Sequence, residues 1–119
     1  MPQQKIEIET TKESDHYVLS PSGDLDVYTV GTLRDTIAQL LEDKVTRLVV
    51  DLDNVPFMDS SGLGALMGRV RRAREAGGDL AIACTREQHL KLFEITGFGE
   101  GVAIAPTVDE AAKGLRSDG

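Results

Sequence analysis

The chain has 119 residues, 40% of them hydrophobic and 28% charged, with a formal net charge of −7 at pH 7. That is the size and balance of one soluble globular domain, residues 1–119 with a core over about 5–115, able to bury a single core without disulfide staples. The negative charge argues against nucleic acid and against an anionic membrane surface, both of which require clustered Lys and Arg. A basic partner surface is compatible with it.

The N-terminal Met1-Pro2-Gln3-Gln4-Lys5 lacks the apolar stretch of a signal peptide. No apolar run approaches the roughly 20 residues needed to span a bilayer. Cytoplasm is therefore the expected location. Residues 5–10 alternate Ile6 and Ile8 with Lys5, Glu7 and Glu9, the period of a strand with one wet face. Asp15-His16 marks a turn and Tyr17-Val18-Leu19 the returning strand of a hairpin. Pro21 cannot donate to a sheet ladder, so this strand is expected to end there or to lie at an edge. Gly23-Asp24-Leu25-Asp26 reads as a loop. Val30, Leu33, Ile37, Leu40 and Leu41 then trace one face of a helix starting near Thr29, with Arg34 and Asp35 on its wet side.

Residues 48–52, Leu-Val-Val-Asp-Leu, form an apolar β-branched run of strand length. Leu63, Leu66, Met67 and Val70 repeat at helical spacing, ahead of Gly77-Gly78 as a stop signal. Between strand and helix lies Asp59-Ser60-Ser61-Gly62, residue types that cap the free N–H groups of a helix start. Residues 79–84 are a continuous apolar strand suited to a sheet covered on both faces. Cys84, the only cysteine, allows no internal disulfide and reads as a small buried hydrophobe. Thr85-Arg86-Glu87-Gln88 has the spacing of a capping box, opening a helix with Leu90, Leu92 and Phe93 on its apolar face and Gly97 at its end. A short strand over residues 102–104 and a second capping box, Thr107-Val108-Asp109-Glu110, precede a last helix marked by Val108, Ala111, Ala112 and Leu115. The tail from residue 116 is expected to fray. A hairpin followed by alternating helices and strands implies an α/β fold: a mixed sheet with parallel crossovers and about four helices.

The run Phe57-Met58-Asp59-Ser60-Ser61-Gly62-Leu63-Gly64 resembles the phosphorylation-site signature of bacterial anti-sigma factor antagonists of the STAS domain family. Two further stretches match in order, Gly23-Asp24-Leu25-Asp26-Val27-Tyr28 upstream and Leu92-Phe93-Glu94-Ile95-Thr96-Gly97 downstream. The resemblance spans roughly residues 17–115. It departs from the family at Pro21, where a donor-competent residue is usual, and at Gly31, which replaces a frequent proline and costs about 1 kcal/mol of helix stability relative to alanine.

The resemblance implies that Ser60 is the phosphoacceptor, that Asp24 and Asp26 lie near Asp59 as an acidic rim, and that these carboxylates with Ser61, Gly62, Leu63 and Gly64 contact the partner. It implies an anti-sigma factor that is also a serine kinase as partner, with ATP and Mg²⁺ belonging to that kinase, and a serine phosphatase that resets the switch. The chain itself would be a monomeric binding module and substrate, with no cofactor and no catalysis. The alternative is a STAS-type scaffold module in which Ser60 is not used. A phosphate on Ser60 is expected to be accommodated by free N–H groups of the helix start.

Other chemistries fit the residues less well. A hydrolase nucleophile at Ser60 would need a neighbouring base; the chain offers only His16 in a turn and His89 on a helix, both read as solvated, and it lacks the G-x-S-x-G elbow. A dinucleotide fingerprint fails at Met67, and no Walker Lys-Ser/Thr pair follows the glycines. The spacings of Asp24, Asp26, Asp51, Asp53 and Asp59 follow no known metal loop. Arg69, Arg71, Arg72 and Arg74 lie in the last turns of a helix, where they complement its dipole. Gly64 and Gly68 leave two readings open, close packing on the sheet or a flat docking surface.

Overall fold

The computed structural model describes residues 5–116; the expectations for the extreme N-terminus and for the tail at residues 117–119 fall outside the described residues, while Arg116, expected to fray with that tail, is held by Asp79 and Arg47. β1 (Glu7–Lys12) and β2 (Tyr17–Ser22) form the antiparallel hairpin. After it come α1 (Val30–Glu42), β3 (Arg47–Asp51), α2 (Ser60–Glu75), β4 (Asp79–Ala83), α3 (Glu87–Thr96), β5 (Ile104–Ala105) and α4 (Val108–Lys113). The five strands lie in the order β1-β2-β3-β4-β5, with every pair after the hairpin parallel. The mixed α/β sheet with four helices is the architecture the sequence implied.

Strand periodicity divides the core in two. Leu19, Leu48, Val50, Leu80 and Ile82 point to one face, where they meet Leu33 and Ile37 of α1, Leu63, Leu66 and Val70 of α2, and Phe93 of α3. Val18, Val49, Ala81 and Ala83 point to the other, which Ala111 of α4 and Leu115 cover. Both faces of β4 are thus dry, and all five of its residues are buried, as its unbroken apolar run required.

The structure corrects several local expectations. β1 starts and ends two residues later than the alternation suggested, and Ile6 is buried just ahead of it. β2 runs through Pro21, which pairs with Ile8 of β1. Its ladder with β3 covers only residues 17–19, so at Pro21 the strand has a neighbour on one side alone, an edge inside the sheet. β5 is shorter, starting two residues and ending one residue later than expected.

Thr85 is not a cap. The residue before α3 is Arg86, with no side-chain cap bond; Thr85 N and Oγ1 both donate to Asp53 Oδ1, at 2.7 and 3.0 Å. Thr107 does cap α4, accepting from Glu110 N at 3.1 Å. Met67 is 42% exposed and stands outside the apolar face of α2. Both histidines are less solvated than expected. His89 is 2% exposed and lies on the buried face of α3; His16 Nδ1 sits 2.7 Å from Asp15 Oδ1, its side chain 12% exposed.

Candidate functional site

The loop from β3 to α2 is fixed at successive points before it reaches Ser60. Asp51 Oδ1 accepts from Asp53 N at 3.0 Å, and Asp53 in turn holds Thr85 and accepts from Arg86 Nε through its carbonyl at 2.8 Å. The Val55 carbonyl lies 2.6 Å from His89 Nε2; a carbonyl only accepts, so Nε2 carries the proton. From the other side the segment after β2 crosses over it. Gly23 N donates to Asn54 O at 3.1 Å and Leu25 N to Phe57 O at 2.9 Å, while Asp59 N donates back to Leu25 O at 3.3 Å. Leu25 and Met58 thereby form an isolated parallel bridge. This is what brings the loops bearing Asp24, Asp26 and Asp59 together at the start of α2.

Asp59 is the N-cap of that helix. Its Oδ1 accepts from Ser61 N at 2.9 Å and from Gly62 N at 3.2 Å, satisfying two of the orphan donors of the first turn. Ser60 follows it and is exposed; Ser61 is half-buried. Two of the amides expected to receive a phosphate, those of Ser61 and Gly62, are thus already occupied by a carboxylate. The two other residues singled out in this turn face inward. Leu63 is 4% exposed and belongs to the core. Gly62 is buried, and a Cβ there would lie 2.7 Å from Leu25 O and 2.8 Å from Met58 Cγ. Gly62 lets the crossing segment approach the helix closely.

At Gly64 and Gly68 an added Cβ meets nothing within 4 Å. The packing reading of this stripe is therefore excluded, and a smooth open surface remains.

The segment after β2 is shaped by Thr29, 1% exposed. Its Oγ1 accepts from Asp26 N at 2.9 Å and donates to Asp24 O at 2.7 Å, while Asp26 Oδ1 accepts from Tyr28 N at 2.9 Å. The turn closed by these bonds pushes Val27 and Tyr28 outward, 63% and 79% exposed. Phe57, 52% exposed, stands on the neighbouring loop. These apolar residues were missed in the sequence because they belong to no periodic run. An aromatic in each of two loops that also carry the acidic residues was the available signal.

Neither histidine is placed as a base for Ser60: His89 is engaged with Val55, and His16 lies between β1 and β2, at the far end of the sheet. Burial pushes the Cys84 thiol above its ordinary pKa, away from a reactive thiolate. Among the described residues no three His, Cys, Asp or Glu side chains converge to hold a metal ion, and no helix is long and apolar enough to cross a membrane.

A parallel sheet edged by a hairpin, with a capped, serine-bearing helix start at the carboxyl ends of its strands, is the arrangement of one domain class. The chain belongs to the STAS domain family, which matches residues 7–111. Among curated proteins it is 36% identical over 92 residues to the anti-sigma-B factor antagonist of Staphylococcus aureus, covering 77% of this chain and 85% of that protein. Among solved structures it is similar to an anti-sigma factor antagonist from Mycobacterium paratuberculosis, with a TM-score of 0.83, 25% identity and coverage of 94% and 95% of the two chains. The phosphorylated form of the Bacillus cell fate determinant SpoIIAA aligns with a TM-score of 0.69 and 25% identity over 90% of this chain and 97% of that one.

Proposed function

We propose that the protein is an anti-sigma factor antagonist whose unphosphorylated form binds an anti-sigma factor and so releases a sigma factor, and whose phosphorylation at Ser60 ends that binding. The observation that carries this reading is the exposed Ser60 on a rigidly tethered helix start, flanked by exposed Tyr28 and Phe57. Desolvating large exposed aromatics is a common source of affinity in protein interfaces, and these two stand on the loops that meet at the start of the helix bearing Ser60. The Staphylococcus aureus relative, called an anti-sigma-B factor antagonist, and the Mycobacterium paratuberculosis structure, called an anti-sigma factor antagonist, support it.

In this reading the chain is a cytoplasmic binding module and a substrate, not an enzyme. The partner is a serine kinase that supplies ATP and Mg²⁺ from its own site, and a serine phosphatase restores the free hydroxyl. Asp24, Asp26, Asp59, Ser61 and Gly64 contribute the polar and smooth parts of the contact; Gly62 and Leu63 support it from beneath.

The test is to incubate the protein with the purified anti-sigma factor kinase of its own organism and ATP, and to map the modified residue by mass spectrometry. A single phosphate on Ser60, absent from Ser60→Ala, is expected. Binding of the kinase by Tyr28→Ala and Phe57→Ala should fall roughly tenfold or more, the usual consequence of truncating an interface aromatic. Phosphate on another residue, or full affinity in both aromatic variants, would overturn the assignment.

A further inference from the structure

α1 and α2 pack side by side, and the seam between them opens to solvent as two consecutive grooves. The first, about 430 Å³, starts at Val27 and Ser61, beside Ser60, and is walled by Arg34 and Arg69. The second continues from Arg69 to Arg72. The floor near Ser61 is the bare strip of Gly64 and Gly68, one helical turn apart, with nothing within 4 Å of where a Cβ would stand.

The charge of this seam opposes that of the molecule. Within a chain of net charge −7, three arginines gather along it. Among the described residues neither Arg34 nor Arg69 has a carboxylate within ion-pair distance, and Arg72 reaches only Glu75, at 3.9 Å. Arg69 Nε is sealed from solvent and has no hydrogen-bond partner. A buried donor left unmade is unfavourable, and an acceptor in the groove relieves it once the Arg69 guanidinium turns toward it. Burial, then the neighbouring Arg72 and Arg34, lower the affinity of Arg69 for its proton, so an anion laid in the seam would be drawn by all three. Glu42 and Glu75 line the second of these grooves and not the first, which leaves the cationic stretch at the end next to Ser60.

We propose that this seam receives a carboxylate-bearing segment of the anti-sigma factor, whose acidic side chains pair with Arg34 and Arg69 while its backbone lies close over Gly64 and Gly68. The inference rests on the partner-binding reading above and adds the chemistry of the partner. The docking face is then two-signed: the Asp24, Asp26 and Asp59 loops are acidic, and the adjoining seam is basic. Such a pattern admits one orientation of the partner and repels the reverse, which is how charge confers specificity and register. Bare backbone between the arginines favours a protein segment over a nucleic acid, which would seek interleaved aromatics and a broader basic field.

The experiment compares the unvaried chain with Arg34→Glu, Arg69→Glu and the double variant, in titrations against the cognate anti-sigma factor kinase at low and at raised salt. Circular dichroism melts check that each variant folds, with Arg34→Gln and Arg69→Gln as charge-removing controls. The double reversal should weaken binding at low salt by at least about tenfold and flatten the salt dependence. An Asp or Glu to Lys change on the kinase surface should restore part of the lost affinity. Unchanged affinity and salt response in the folded double variant, while Ser60→Glu still abolishes binding, overturns the seam proposal alone. Failure of the unvaried chain to bind at all overturns the antagonist reading and the proposal with it. Saturable movement of the backbone amide signals of residues 61–69 on titration with ATP alone would replace the protein segment with a small polyanion.

Discussion

Where β3 and β4 begin, the polar groups are consumed by one another. Asp79, 1% exposed, accepts from Arg74 Nε at 2.9 Å and from the backbone N–H of Arg116 at 2.8 Å. Arg74 Nη2 also donates to the Gly101 carbonyl, and Arg47 joins Arg116 O at 2.8 Å to Asp15 O at 3.1 Å. Where the same strands end, the backbone is held as firmly, yet the side chains are left facing out: Val27, Tyr28 and Phe57 are exposed, as is Ser60. Both ends are hydrogen-bonded, and they differ in what their side chains leave exposed. In open parallel sheets the carboxyl ends of the strands are where ligands are met, and here that end carries three of the exposed large hydrophobics, Val27, Tyr28 and Phe57, while Ile95, 80% exposed, stands apart in the last turn of α3.

The sharpest break of this contrast is at the closed end. Asp79→Ala removes the shared acceptor of α2 and the C-terminal segment. Breaking a buried ion pair costs about 3–5 kcal/mol, and the lower figure is expected because Arg74 is partly solvated and can rehydrate. Urea unfolding should show the loss. Affinity of the folded fraction for the partner should be that of the unvaried chain, since the proposed docking face lies at the other end.

Gly62→Ala brings the contrast to the open end. Alanine should favour the helix by about 1 kcal/mol, but its methyl would press on Leu25 O and Met58 Cγ. A net loss of about 1–3 kcal/mol is expected from overpacking. Here stability and binding should fall together, because the displaced segment carries Asp24, Asp26 and Tyr28. Denaturant unfolding beside partner titration checks it, and an unchanged affinity would detach that segment from the interface.

What was legible in the sequence divides along the same line. Core elements were readable because burial enforces periodicity: Leu33 and Ile37, Leu63 and Leu66, and the apolar run of β4 all sit where the pattern placed them. The cap at Asp59 was readable because it is local. The misreadings depend on partners distant in sequence. Thr85 is taken by Asp53, 32 residues away, and His89 by Val55, 34 away; no window along the chain contains both members of either pair. Tyr28 and Phe57 were passed over because exposure is a property of the assembled fold. The motif located Ser60, but only the coordinates show that Asp59 already occupies the amides beside it.

A smaller effect is expected from that cap. Asp59→Ala should cost about 1 kcal/mol, the ordinary value of an N-cap, read as a lowered midpoint in urea. Asp59→Asn keeps an oxygen that accepts from Ser61 N and Gly62 N while removing the charge, and should leave stability within a few tenths of a kcal/mol, asparagine and aspartate being near-equal caps. A large loss in the Asn variant would mean that charge, not the cap, holds the turn.

Ser60 itself should matter least to the fold. Its side chain is exposed and the cap belongs to its neighbour, so Ser60→Ala should change stability by less than about 0.5 kcal/mol. A phosphate there adds about −1.5 to −2 charges at pH 7 beside a carboxylate already holding the helix amides. Like charges about 4 Å apart near a surface repel by on the order of 4 kcal/mol. Inside the free protein the phosphate can turn into solvent and escape most of this. In the proposed complex it cannot, because transfer by a partner kinase would require Ser60 to lie against that kinase's nucleotide phosphates. Even half of the repulsion, after screening, weakens binding by more than about tenfold. Phosphorylation should therefore abolish binding while moving backbone NMR signals only around residues 24–28 and 57–65, with amide exchange in β3 and β4 unchanged. The variant Asp59→Asn isolates the cause. If repulsion within this chain contributes, the phosphorylated Asn protein should regain part of its affinity; if only the partner's phosphates oppose it, the loss will match that of the unvaried chain. Shifts spread through the sheet and its packed helices would show instead that phosphorylation refolds the domain, and the charge mechanism would fail.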